Sequence, residues 1–99
     1  MSYDAFRECP NLQHVNIPSS CTDIGQNCFY SCNKLDETYD LSNLTIVRAG
    51  IFNSCTKVKV SNFPRVSSYA NTAFYGIGNT TITIPKEVTS IGGACFKLL

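Results

Sequence analysis

Residues 84–96, Ile-Pro-Lys-Glu-Val-Thr-Ser-Ile-Gly-Gly-Ala-Cys-Phe, restate residues 17–29, Ile-Pro-Ser-Ser-Cys-Thr-Asp-Ile-Gly-Gln-Asn-Cys-Phe. Ile-Pro, Thr, Ile-Gly and Cys-Phe hold the same places in both. Outward from these stretches, the closing phenylalanine recurs as Phe6, Phe29, Phe52, Phe74 and Phe96, at spacings of 23, 23, 22 and 22 residues. A unit that short cannot close a core of its own, so each must bury its apolar face against its neighbours.

Other columns keep the same register. Cys9, Cys32 and Cys55 stand three residues after the first three phenylalanines, with Ile77 in the fourth unit. Cys21, Leu44, Val66 and Val88 form another column, and Ile24, Val47, Tyr69 and Ile91 the next. Ala5, Cys28, Ile51, Ala73 and Cys95 precede the phenylalanines. The columns predict one domain over 1–99, with repeats at about 6–28, 29–51, 52–73 and 74–95 and a partial unit at 96–99. Such a domain is either whole or a fragment of a longer array.

The predicted fold class is a repeat solenoid of about four coils, with parallel β-strands on one face and short extended and helical or 3₁₀ turns on the other. Leu12–Pro18 alternates Val15 and Ile17 with His14 and Asn16, and Thr80–Pro85 alternates Thr81 and Thr83 with Ile82 and Ile84. That is period-two strand patterning, ended by a proline that removes a backbone donor. Thr38, Tyr39, Asp40 and Leu41 make the second unit's main strand the least apolar, and therefore the expected weak coil. The structural spine is Phe6, Phe29, Phe52, Phe74 and Phe96 with Cys9, Cys32 and Cys55.

Composition narrows the function. With 43% hydrophobic residues, 15% charged and a net charge of +1, nothing points to nucleic acid as a partner. No apolar run approaches the roughly 18 residues of a membrane span, so membrane insertion is not expected, and no signal peptide is evident. Six cysteines suggest a disulfide framework by count alone. Each, however, shares a column with small or branched apolar residues, which predicts buried thiols. No cofactor or metal site is expected: the chain has one histidine and no C-x-x-C pair.

The phrases Ile-Pro, then Thr-x-Ile-Gly, then Ala-Phe-Arg-Glu-Cys-Pro-Asn-Leu at 5–12 resemble the BspA-like leucine-rich repeats nearly end to end. The second unit departs, with Asp40 and Leu41 in place of Ile-Pro, and the fourth carries Ile77 in place of the cysteine. The resemblance implies a non-enzymatic protein–protein interaction module of a cell-surface or secreted adhesin-like protein. Its partner would be a host, neighbouring-cell or matrix protein. Catalysis is also unsupported by the residues, which include no G-x-S-x-G, P-loop or H-E-x-x-H motif. Gly76–Asn79 is glycine-rich but reads as a turn.

The candidate ligand face comprises the outward columns of the strands: His14, Asn16, Glu37, Tyr39, Val60, Asn62, Thr81 and Thr83. Tyr39 stands out because tyrosine is enriched at binding hot spots. The alternative function is assembly, a homo-oligomer formed through open coil ends or strand edges, with Leu98 and Leu99 at the interface.

Overall fold

The computed structural model describes Phe6 and residues 9–97. Ala5, Leu98 and Leu99 lie outside the described residues. Among the described residues the chain winds through stacked turns that pair in parallel as three two-stranded sheets, with a further parallel bridge between Val47 and Tyr69. β1 (Thr38–Asp40) pairs with β2 (Lys59–Asn62), β3 (Ser68–Tyr69) with β5 (Ser90–Ile91), and β4 (Phe74–Tyr75) with β6 (Phe96–Lys97). The arrangement is one of short strands paired in parallel between successive turns. Among the described residues there is no helix; hydrogen-bonded turns replace the expected helical or 3₁₀ segments.

The most regular ladder runs along the turns that carry the phenylalanines. The N–H groups of Phe29, Phe52 and Phe74 donate to the carbonyls of Ile51, Ala73 and Cys95 in the following turn. Asn27, Gly50 and Thr72, two residues earlier, do likewise, as do Ser31, Ser54 and Gly76, two residues later. Both flanking positions are left-handed: φ is +56° and +57° at Asn27 and Ser31, +68° and +65° at Gly50 and Ser54, and +57° and +73° at Thr72 and Gly76. The sharp reversals are what keep a Phe-centred segment short and prevent a helix from starting there.

The phenylalanine rings stack face to face. Centroids are 5.3 Å apart for Phe6 and Phe29, 5.3 Å for Phe29 and Phe52, 6.4 Å for Phe52 and Phe74, and 5.5 Å for Phe74 and Phe96. Tyr39 lies over Phe52, while Phe63 and Tyr69 meet Phe74 edge-on. The Tyr69 hydroxyl donates to the buried Pro64 carbonyl at 2.6 Å. Aromatic pairs at such separations add to what their burial contributes.

All six cysteines are thiols; Cys28, Cys32, Cys55 and Cys95 are buried, whereas Cys9 and Cys21 are only half-buried. The Cys32 thiol donates to the carbonyl of Phe6 and the Cys55 thiol to that of Phe29, each at 2.9 Å. Each of these two thiols thus ties one turn to the one before. Burial raises the pKa of both, with Cys55 pushed up to about 12 by burial and then by the nearby Cys32.

Two expectations about the strands are corrected. Segments 12–18 and 80–85 form no strand, although both carry the alternating pattern. The second unit, expected to be weak, instead supplies β1. The reason is a slip in register: β1 pairs Tyr39 with Val60 and Asp40 with Asn62, leaving Ser61 as the extra residue of a bulge. The column alignment would have set Glu37 against Val60 and Tyr39 against Asn62. With the slip, Tyr39 and Leu41 supply the inward residues that the unit appeared to lack.

Candidate functional site

The site is a parallel ribbon, β1 beside β2, with a cleft along each side. Alternation puts Tyr39 and Val60 inside, at 7% and 3% exposure, and turns Thr38, Asp40, Lys59, Ser61 and Asn62 to solvent. Tyr39 and Val60 therefore leave the candidate ligand face. A phenol in an apolar interior needs a partner, and Tyr39 finds the Val15 carbonyl at 2.6 Å. Burial, followed by the charge of Glu37, raises the pKa of this phenol.

The remaining candidates divide into two groups. Asn62 is on the ribbon, where its amide donates to the Asp40 carboxylate at 3.0 Å. His14 and Asn16 on one flank, and Thr81 and Thr83 on the other, are exposed across the two clefts. Glu37 is only half-exposed; its carboxylate accepts the Val15 N–H at 3.2 Å and lies 3.8 Å from the His14 ring. Glu37 thus braces the fold as well as bordering the site.

Asp40 is the best-held charge on the ribbon. Its carboxylate accepts from the Ser42 hydroxyl at 2.6 Å and the Ser42 N–H at 2.9 Å. These bonds, followed by those from Asn62 and the field of Arg65, hold its pKa below the usual carboxylate value. The Asp40–Asn62 pair fixes the end of the ribbon from both strands.

On the far side, Asn79 performs the same task for Val60 that Glu37 and Tyr39 perform for Val15. Its carboxamide oxygen accepts the Val60 N–H at 2.8 Å, and its nitrogen donates to the Val60 carbonyl at 3.0 Å. Side chains thus take the backbone groups on which neighbouring strands would pair, which is why 12–18 and 80–85 stand off from the ribbon. The standing-off leaves two clefts. One, of about 330 Å³, lies between β1 and residues 15–19, and the other, of about 520 Å³, between β2 and residues 81–87.

Column reasoning did not reach Thr38, Lys59, Ser61, Arg65, Asn79 and Lys86. The first three fall out of register by the slip, and Asn79 sits in a segment that reads as a turn. Only a penalty for leaving Tyr39 without a packed neighbour could have indicated the slip.

Among the described residues no group of three or more His, Cys, Asp or Glu is placed to hold a metal ion. No helix of the described residues is long and apolar enough to cross a membrane.

No curated protein matches the chain. Among solved structures, the crystal structure of a leucine-rich repeat protein from Bacteroides ovatus is similar, with 30% identity and a TM-score of 0.85. The match covers 96% of this chain and 26% of that one, so the chain spans about a quarter of its neighbour's length. A family profile described as BspA type leucine-rich repeat region, in 6 copies, matches residues 1–98. The chain belongs to the BspA-type leucine-rich repeat family.

Proposed function

We propose that the chain is a non-enzymatic binding module whose β1–β2 ribbon meets a protein partner, in the manner of a cell-surface or secreted adhesin. Leucine-rich repeats of this family suggest protein interaction and are typically without catalysis. The observation that carries the ribbon assignment is its bracing. β1 is tied to its flank by its own Tyr39 hydroxyl on the Val15 carbonyl, and β2 is held from its flank by the Asn79 side chain on Val60, so Thr38, Asp40, Lys59, Ser61 and Asn62 present a fixed outward set at little entropic cost. A host, neighbouring-cell or matrix protein fits that rigid, polar platform. The test is capture of such proteins by the immobilised chain, repeated with Thr38→Lys and Lys59→Glu. Loss of the captured protein with an unchanged melting temperature supports the ribbon; equal capture by both variants refutes it.

A second function, assembly, is favoured by one feature. Ile91 on β5 is 48% exposed, and Ile82, Ile84, Val88 and Phe96 are only partly buried where they pack on the core. Light scattering over a range of concentrations separates the two: a concentration-independent monomer argues against assembly, and a growing mass supports it.

A further inference from the structure

We propose that the cleft between β2 and residues 81–87 binds an acidic saccharide, a sugar unit carrying several hydroxyls and one carboxylate or sulfate. The cleft exists because the following turn leaves the ladder early. Gly78 donates its N–H to the Val58 carbonyl and Asn79 holds Val60; then, among the described residues, no backbone hydrogen bond joins residues 80–88 to the preceding turn until Thr89 donates to Ser67. The space left, about 520 Å³, lies within the 300–1,000 Å³ or so of small-molecule sites.

The lining selects the ligand. Thr81 and Thr83 offer hydroxyls that are both donor and acceptor, while Ser61, whose hydroxyl donates to the Tyr39 carbonyl at 3.3 Å, and Asn62, whose amide donates to Asp40, add acceptor oxygens, a set that suits a hydroxyl-rich molecule. Val60 and Phe63 form the floor at 3% and 5% exposure, so no apolar anchor pocket of the kind a protein hot spot requires opens here. Among the lining residues Arg65 comes from one wall and Lys86 from the other, against Glu87, while the Asp40 carboxylate, held by Asn62 and within the field of Arg65, stands at the margin. A guanidinium fork matches a carboxylate or sulfate face to face.

The experiment records amide chemical shifts of the full chain on titration with three oligosaccharides of equal length: hyaluronan (carboxylated), chondroitin sulfate (sulfated and carboxylated) and a neutral cello-oligosaccharide. The expected result is a set of shifts at Ser61, Asn62, Thr81 and Thr83 with an acidic sugar, bound about tenfold or more tightly than the neutral one. Arg65→Gln with Lys86→Gln, both exposed positions, should weaken binding by about tenfold without lowering the melting temperature. Thr83→Val should weaken it several-fold and leave its salt dependence unchanged, which diffuse charge attraction would not explain. No shifts with either acidic sugar, equal affinity for the neutral one, shifts confined to residues outside the cleft, or an unchanged affinity in the double variant overturns the proposal. It does not rest on the protein-binding role of the ribbon: protein capture lost on Lys59→Glu, with a silent cleft, sinks this proposal alone.

Discussion

The Tyr39 hydroxyl donates to the Val15 carbonyl across 2.6 Å, bridging two turns of the array at a point where their backbones do not pair. Glu37 takes the N–H of the same valine, so both of its main-chain polar groups are satisfied by side chains of the next turn. Asn79 satisfies Val60 in the same two-handed way. The ribbon is therefore fixed at both flanks by side chains, and the clefts beside it are consequences of that bracing.

Removing the Tyr39 hydroxyl tests this first. Tyr39→Phe leaves the ring over Phe52 and deprives the Val15 carbonyl of its donor, which should cost about 1–2 kcal/mol. Tyr39→Ala also opens a cavity beside the stacked rings and should cost about 3–5 kcal/mol. Urea denaturation reads both. A surface tyrosine would give two variants indistinguishable from the parent.

How far the fold could be read from the residues depends on which side of the turn is considered. The phenylalanine spacing is legible because stacked rings tolerate no register error: a residue too many displaces a large side chain from an apolar column. The ribbon is less legible. A period-two pattern says that faces alternate, but not which face is inward when an extra residue such as Ser61 can be bulged out. The repeat columns set Tyr39 outward for that reason, and they leave the exposed set of Thr38, Lys59 and Ser61 unmarked. Asn79 was invisible because its role depends on a partner 19 residues away, where no pattern links them.

The centre of the ring stack should be the most costly place to cut. Phe52 is fully buried and touches Phe29, Phe74 and Tyr39. Phe52→Ala should lose about 3–5 kcal/mol, enough to unfold a chain of this size at room temperature if its total stability lies at the low end of the usual 5–15 kcal/mol. Circular dichroism on heating decides it; a melting point within a few degrees of the parent would mean that the stack does not hold the turns together.

The thiols give a pH-dependent prediction with a definite sign. Cys55 has its pKa raised in the folded chain from an ordinary 9.0 to about 12. Between those values the unfolded chain gives up the proton and the folded chain keeps it, so the stabilising contribution, complete below pH 9, is lost as pH rises toward 12. The slope is about 1.4 kcal/mol per pH unit for one such group. Unfolding titrations from pH 8 to 11 should show the decline, and Cys55→Ala should make it shallower, the remainder coming from Cys32, Cys95 and the Tyr39 and Tyr69 phenols, whose pKa values burial also raises. In the same range a thiol reagent should modify half-buried Cys9 and Cys21 well before Cys55.

Left-handed backbone at a β-branched residue makes Thr72 a site for improvement. Its φ of +57° is shared with positions that hold glycine in other turns, such as Gly50 at +68°. Thr72→Gly should raise stability by about 0.5–1 kcal/mol, since relief of roughly 1–2 kcal/mol of steric cost exceeds the added chain entropy. Gly76→Ala, at +73°, should lower it by a similar amount. Equal and opposite changes in the urea midpoint would confirm the backbone as the cause, and a loss in Thr72→Gly would point instead to the hydroxyl bond Thr72 makes to the Asn71 carbonyl.

Asn79 offers the cleanest test of bracing, because its two bonds to Val60 can be separated chemically. Asn79→Ala removes both, exposing a backbone N–H and a carbonyl to whatever water the cleft admits, at a cost of about 1–3 kcal/mol. Asn79→Asp keeps an acceptor for the Val60 N–H but at neutral pH sets a carboxylate against the Val60 carbonyl, where the amide had donated. Folding should therefore raise the pKa of that new carboxyl, since its protonated form regains a donor. Stability regained by the variant should be present at acidic pH and lost as pH rises through the raised pKa, opposite to the trend of salt-bridged carboxylates such as Asp23 beside Arg48. Hydrogen exchange at the Val60 amide reports the same event locally: fast in Asn79→Ala and protected in Asn79→Asp, where an acceptor remains at every pH. Equal protection in the two variants would mean that the Val60 N–H is sheltered by burial alone and that Asn79 does not hold the ribbon edge.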